Sequence, residues 1–197
     1  MREILPGVVH WTGTHPKLGI EVSSYWLVPE RAVLNPLLPP GGLRAFQAEP
    51  PESVLLTNRH HLREAERFGA PVHAPRVGLH EFTAEQHVQG YDDGDEPVPG
   101  VRARHIGALS DDEFALVIPR ARAVAIADGV VRDGDGPLGF VPDQYMGDDP
   151  EGVKDGLRAA FAALADEVDF DALLLAHGDP LPTGAREVLR RFATGSS

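Results

Sequence analysis

Three apolar runs in this sequence stop abruptly at polar clusters, and that arrangement constrains the fold more than any other feature. Val54-Leu55-Leu56 runs into Thr57-Asn58-Arg59-His60-His61-Leu62-Arg63, Val124-Ala125-Ile126-Ala127 runs into Asp128-Gly129, and Leu173-Leu174-Leu175-Ala176 runs into His177-Gly178-Asp179-Pro180. Short apolar runs without polar alternation fit strands covered on both faces rather than half-exposed ones. Strand ends are also where sheets present functional groups, so the three corners are the natural place to look for chemistry.

The remaining chain supplies material to cover such strands. Val8–Trp11, Ile20–Val28 and Ala32–Leu34 read as consecutive strands, and Asn35–Gly42, rich in proline and ending in a diglycine, reads as a loop. Leu62–Phe68 has the spacing of a brief helix. Further strands are expected at residues 71–74, 101–106, 113–118 and 123–127. A long helix should start at Asp149-Pro150, an Asp cap followed by a first-turn proline, and carry Val153, Leu157, Ala160, Phe161 and Leu164 on one face. Gly184–Phe192 should form the last helix, and the tail Thr194–Ser197 is expected to fray. With 197 residues, 42% of them hydrophobic, the chain is expected to be one domain spanning 1–197.

Composition removes several classes of function. Eighteen Lys and Arg against thirty Asp and Glu give a net charge of −12, which repels polyanions, so nucleic acid is not an expected partner. The absence of cysteine rules out disulfides, thiolate metal sites and cysteine nucleophiles, leaving His and carboxylate as metal donors. The opening residues Met1–Gly7 carry no signal-like apolar run and no stretch is long enough to span a membrane, so a cytoplasmic location without membrane partners is the expectation. Nucleotide-binding glycine motifs, a G-x-S-x-G elbow and an H-E-x-x-H helix are all missing.

At the first corner, strand alternation puts His60 in register with Asn58 and sends His61 to the opposite face, which makes His60 the inward candidate. Asp128 is either a partner of a cation or a turn-forming aspartate, and His177 repeats the strand-end placement at the third corner. His10, His15, His73, His80, His87 and His105 show no ligand spacing and are expected on surfaces or strand edges. Asp133-Gly134-Asp135-Gly136 reads as a solvated turn. Phe140–Met146 reads as a lid, an association patch that would support a homodimer, or simple core packing.

The order of these landmarks resembles the metallo-β-lactamase fold superfamily over nearly the whole chain. Residues 8–34 resemble its early strands, and its T-H-x-H-x-D-H motif aligns with Thr57-Asn58-Arg59-His60-His61-Leu62-Arg63. Its G-H-[ST]-P-G segment falls near Ala108-Leu109-Ser110-Asp111-Asp112, its bridging aspartate on Asp128 and its last histidine on His177. The resemblance implies an α+β fold, an αββα four-layer sandwich with the site at the loop edge of two sheets.

The motif is eroded. Asn58, Leu62, Arg63 and Leu109 stand where ligands would be, leaving His60, Asp128 and His177 of the seven that the resemblance implies. Two ions cannot be held by that set, whereas one ion meets the usual minimum of three protein ligands. Leu62 removes the motif aspartate that would act as base, and Arg63 stays protonated and cannot ligate. The expectation is therefore a non-catalytic protein or a reduced, metal-free pocket lined by Asn58, His61 and Arg63, with Arg63 paired to Asp128, no cofactor, and a small-molecule ligand as partner. The alternative is a mononuclear zinc-, iron- or manganese-dependent hydrolase of a small ester, lactone, thioester or phosphoester.

Overall fold

The computed structural model describes residues 1–15 and 17–195, so Ser196 and Ser197 of the tail lie outside the described residues. Two sheets face each other. The first has seven strands in chain order: β1 (Arg2–Leu5), β2 (Val8–Thr14), β3 (Glu21–Leu27), β4 (Ala32–Leu34), β5 (Ser53–Leu55), β6 (Val72–Pro75) and β7 (Val88–Tyr91). Pairing is antiparallel from β1 to β4 and parallel from β4 to β7.

The second sheet contains β8 (Arg102–His105), β9 (Phe114–Ile118), β10 (Ala123–Ile126) and, after the small β11 (Val131–Arg132) and β12 (Leu138–Gly139) hairpin, β13 (Ala172–Leu175). Its order is β13-β10-β9-β8, with β10 and β13 parallel and the other pairs antiparallel.

Period-two alternation assigns each strand residue to a layer. Tyr25, Leu27, Leu34 and Leu55 face Phe114, Leu116, Ile118, Ala125 and Leu174 between the sheets. Their neighbours Val54 and Leu56 point the other way, against Ala65, Leu62, Phe68 and Leu79. On the far face of the second sheet, Ala115, Val117, Val124, Ile126, Leu173 and Leu175 pack under α1 (Pro150–Glu167) and α2 (Ala185–Thr194). Fully buried Leu157 and Phe161 of α1 contribute on the order of 1.5–3 kcal/mol each by leaving water.

Four layers result, as expected, but the two outer ones differ. The layer on the first sheet is built of 3₁₀ turns, including Arg59–Leu62 and Ala65–Phe68, where the sequence suggested one brief helix. Asn58 caps the first turn, and Arg63 interrupts the path with φ 43° and ψ −107°, which no helix accommodates. α1 starts as expected at Asp149, whose Oδ1 accepts from Gly152 N at 3.0 Å.

In the segment Phe140–Met146 the two ends pack inward and the middle does not: the Phe140 ring lies 4.6 Å from that of Phe192 with the Arg158 guanidinium 5.1 Å above it, Met146 is buried, and Tyr145 is exposed. No helix among the described residues is long and apolar enough to cross a membrane.

Candidate metal site

Register alone brings Asp128 and His177 together. In the parallel pair β10/β13, Ile126 sits opposite Leu175, so residues two steps beyond each strand leave the sheet side by side. His177 Nε2 lies 3.0 Å from Asp128 Oδ1. The third corner of the site crosses from the other sheet: Phe114 N donates to Thr57 O at 3.1 Å, which fixes the end of β5 against the start of β9.

At that corner the inward histidine is His61, and the expectation for His60 is corrected. Strand alternation stops at Asn58, whose side chain accepts from His60 N at 3.0 Å and starts a 3₁₀ turn. In a 3₁₀ turn residues three apart eclipse one another, so His61 shares the face of Asn58 while His60 swings outward. His60 is exposed, and His61 is only 3% exposed. His61 Nε2 stands 3.1 Å from Asp128 Oδ1.

One donor atom each from His61, Asp128 and His177 lies within 4.8 Å of the other two. Asn58 completes the ring from its motif position, but as a donor: its Nδ2 lies 2.8 Å from Asp128 Oδ2. Leu62 packs in the apolar layer on the first sheet and Leu109 under α1, so neither motif position supplies a ligand.

Behind His61, the Thr57 hydroxyl lies 2.8 Å from Nδ1. Thr57 is itself held by Asn35, whose Nδ2 donates to Thr57 Oγ1 at 2.9 Å and whose Oδ1 accepts from Thr57 N at 3.0 Å. Thr57 Oγ1 also lies 3.2 Å from Asn35 Oδ1. The hydroxyl proton therefore has two destinations. Given to His61 Nδ1, it leaves Nε2–H to donate to Asp128; given to Asn35, it accepts from Nδ1–H and frees the Nε2 lone pair.

Burial sets the charge of the group. The His61 imidazole is pushed down to about 4, chiefly by loss of solvation and against the opposing pull of Asp128, so it is neutral at pH 7. Burial works to raise Asp128, but His61 and hydrogen bonds from both histidines hold it well below the usual carboxylate range.

The sequence reading missed Glu113, which is fully buried beneath the site. Its Oε1 accepts from Gly129 N at 2.6 Å, and Asn58 Nδ2 lies 3.5 Å from its Oε2. Burial first and Asp128 second push its carboxyl up to about 8. An acid directly before the apolar strand Phe114–Ile118 was the available signal. Asp112 is equally buried: it accepts from Arg59 N at 2.7 Å and pairs with the Arg59 guanidinium, while Ser110 Oγ donates to it at 2.9 Å. His10 also departs from expectation, being buried, stacked 4.9 Å from the Tyr25 ring and 3.0 Å from Ser23 Oγ.

Arg63 does not pair with Asp128. Its Nη1 donates to Ser23 O at 2.7 Å and Asn35 O at 2.8 Å, and it makes no ion pair among the described residues. Two prior commitments explain this: the Asp128 oxygens are taken by His61, His177 and Asn58, and the backbone carbonyls at the sheet edge reach the guanidinium first.

Solved structures with the same arrangement of sheets place these corners in a known architecture. A metallo-β-lactamase family protein from Thermus thermophilus superposes with a TM-score of 0.62 at 15% identity, over 98% of this chain and 79% of that one. A metallo-β-lactamase from Hirschia baltica gives 0.66 at 15% identity, over 97% and 94%. The chain has the metallo-β-lactamase fold. A flavodiiron protein from Thermotoga maritima shares this metallo-β-lactamase fold over 96% of the present chain and 58% of its own, at 12% identity and a TM-score of 0.62. No family model matches the sequence, and no curated protein does either.

The donor set has the composition that a single ion would need. Two imidazoles and one carboxylate bring donor atoms within 4.8 Å of one another, His61 is kept unprotonated by burial, and Thr57 provides the backing that ligating histidines require. No second set of three His or carboxylate donors of this kind occurs among the described residues.

Proposed function

We propose that this chain is a mononuclear metal-dependent hydrolase of a small ester, lactone, thioester or phosphoester, with His61, Asp128 and His177 holding the ion. The convergence of three donor atoms within 4.8 Å carries the reading, because three protein ligands with an open position is the composition of catalytic rather than structural zinc sites. Zinc, iron or manganese held there supplies Lewis acidity and a nucleophile derived from water at neutral pH.

The chain's own residues have separable tasks. Thr57 and Asn35 set which His61 nitrogen carries the proton. Asn58 anchors Asp128 Oδ2, which leaves Oδ1 as the oxygen facing both imidazoles. Glu113 fixes the turn after Asp128 through Gly129 N.

A second reading, a non-catalytic binding module with a closed His–Asp–His triad, draws on the saturation of Asp128. Both histidines lie within hydrogen-bond distance of Oδ1 and Asn58 occupies Oδ2. Elemental analysis of natively purified protein separates the two. One equivalent of a transition metal, a melting temperature lowered by chelation and ester hydrolysis that returns with the ion support the first reading. Metal well under one equivalent, after exposure to zinc, iron and manganese in turn, refutes it.

A further inference from the structure

The two N–H groups of Arg63 that lie side by side, Nε and Nη2, have no hydrogen-bond partner and no contact with solvent. Nη1 has spent both of its hydrogens on Ser23 O and Asn35 O, which pins the plane of the guanidinium. What remains is one complete edge of the fork, with parallel donors in the geometry that matches a carboxylate or a phosphate. Buried donors left unpaired cost free energy, and a buried cation without a counter-charge costs more.

No protein acid fills the gap. Arg63 makes no ion pair among the described residues, and Asp128, the carboxylate acting most strongly on it, is already committed to His61, His177 and Asn58. The backbone at Arg63 is held at φ 43°, a conformation that non-glycine residues keep only where the surroundings impose it.

We propose that Arg63 is an anion-recognition residue, its Nε/Nη2 edge receiving the carboxylate or phosphate group of a small-molecule ligand beside the His61–Asp128–His177 triad. This deepens the reading of the same site by naming its ligand class, an oxyanion-bearing small molecule, but the free edge exists whether or not the triad holds an ion. The recognition is bidentate, so lysine, which offers a point charge, does not replace it.

The test follows the Nε–H resonance of Arg63 by NMR in the full chain, as purified and after chelation, while inorganic phosphate or acetate replaces chloride at constant ionic strength. The expected result is a saturable shift with at least one of the two anions in both preparations; whichever binds more tightly identifies the headgroup. Arg63→Lys should weaken that anion at least ~10-fold while leaving metal content unchanged. A resonance unmoved by tens of millimolar of either anion overturns the proposal. So does equal affinity in Arg63→Lys, or a response that disappears on chelation, which would place the anion on the ion instead. If Arg63→Lys does not fold, the wild-type resonance decides alone. A shift retained in protein that binds no metal would sink the hydrolase reading and leave this one standing.

Discussion

The Thr57 hydroxyl stands 2.8 Å behind His61 Nδ1, on the side away from Asp128, and shares hydrogen bonds with Asn35 in both directions. The imidazole thus has a proton source and a proton acceptor at one atom. Replacing the hydroxyl by a methyl group of similar size removes both while keeping the volume.

Thr57→Val should therefore lower metal affinity about 10–100-fold, the usual cost of losing a partner behind a ligating histidine. Competition against a chromophoric chelator measures it. Affinity within twofold of wild type would show that Thr57 does not set the His61 tautomer.

The two adjacent histidines should separate cleanly. His60 is exposed and outside the triad, so His60→Ala should leave metal content unchanged and stability within about 0.5 kcal/mol. His61→Ala removes one of three donors and should abolish stoichiometric metal. Elemental analysis of both variants decides, and the reverse pattern would overturn the assignment of the inward residue.

Glu113 should imprint a pH dependence on the metal-free protein. Its carboxyl lies at about 8 in the fold against 4.5 when solvated, so the folded state holds a proton that the unfolded state has lost, and stability falls as pH rises through that window. Below pH 6.5 the effect is opposed by His61, which is pushed down to about 4 and so favours the unfolded state as acid is added. Between pH 6.5 and about 8 Glu113 acts without that opposition, with a slope on the order of 1.4 kcal/mol per pH unit. Glu113→Gln should flatten the slope in urea titrations of chelated protein. An unchanged slope would mean that Glu113 is ionised in the fold.

Gly178 follows His177 with φ 90°, and a Cβ built there would sit 2.3 Å from the Arg132 carbonyl oxygen. Both the backbone conformation and the collision oppose a side chain, so Gly178→Ala should cost at least ~2 kcal/mol. The midpoint of urea unfolding reports it; a loss below ~0.5 kcal/mol would show that the Arg132 strand end yields freely.

Much of this architecture could be read from residues whose environment is set by their own neighbours. Apolar runs such as Leu173–Ala176 declare themselves as two-sided strands, Asp149-Pro150 declares a helix start, and Asp128 and His177 inherit their places from strand ends. His60 and His61 could not be sorted that way, because the choice turns on where extended backbone gives way to a 3₁₀ turn. That point is set by the Asn58 side chain bonding to His60 N, a local competition that alternation does not register. Glu113 and Asp112 were missed for a different reason: acids at the head of an apolar strand are a signal, but the sequence does not say that they are buried until Gly129 and Arg59 are found to reach them from distant parts of the chain.

The parallel pairing of β10 with β13 places Asp128 and His177 side by side although forty-eight residues separate them in sequence. Those residues make an excursion whose two ends are clamped by the same ladder, so its length is invisible to the distance between the two side chains. The stretch before Asp149 can accordingly be lengthened or exchanged without retuning the pair, whereas the Asp133–Gly136 turn is tied to the His177 corner, where Asp179 N donates to Gly134 O at 3.1 Å and Arg132 N donates to His177 O at 3.1 Å. A shift of one rung in the ladder, by contrast, would send one of the two side chains to the opposite face of the sheet and dissolve the site while leaving the sheet itself intact.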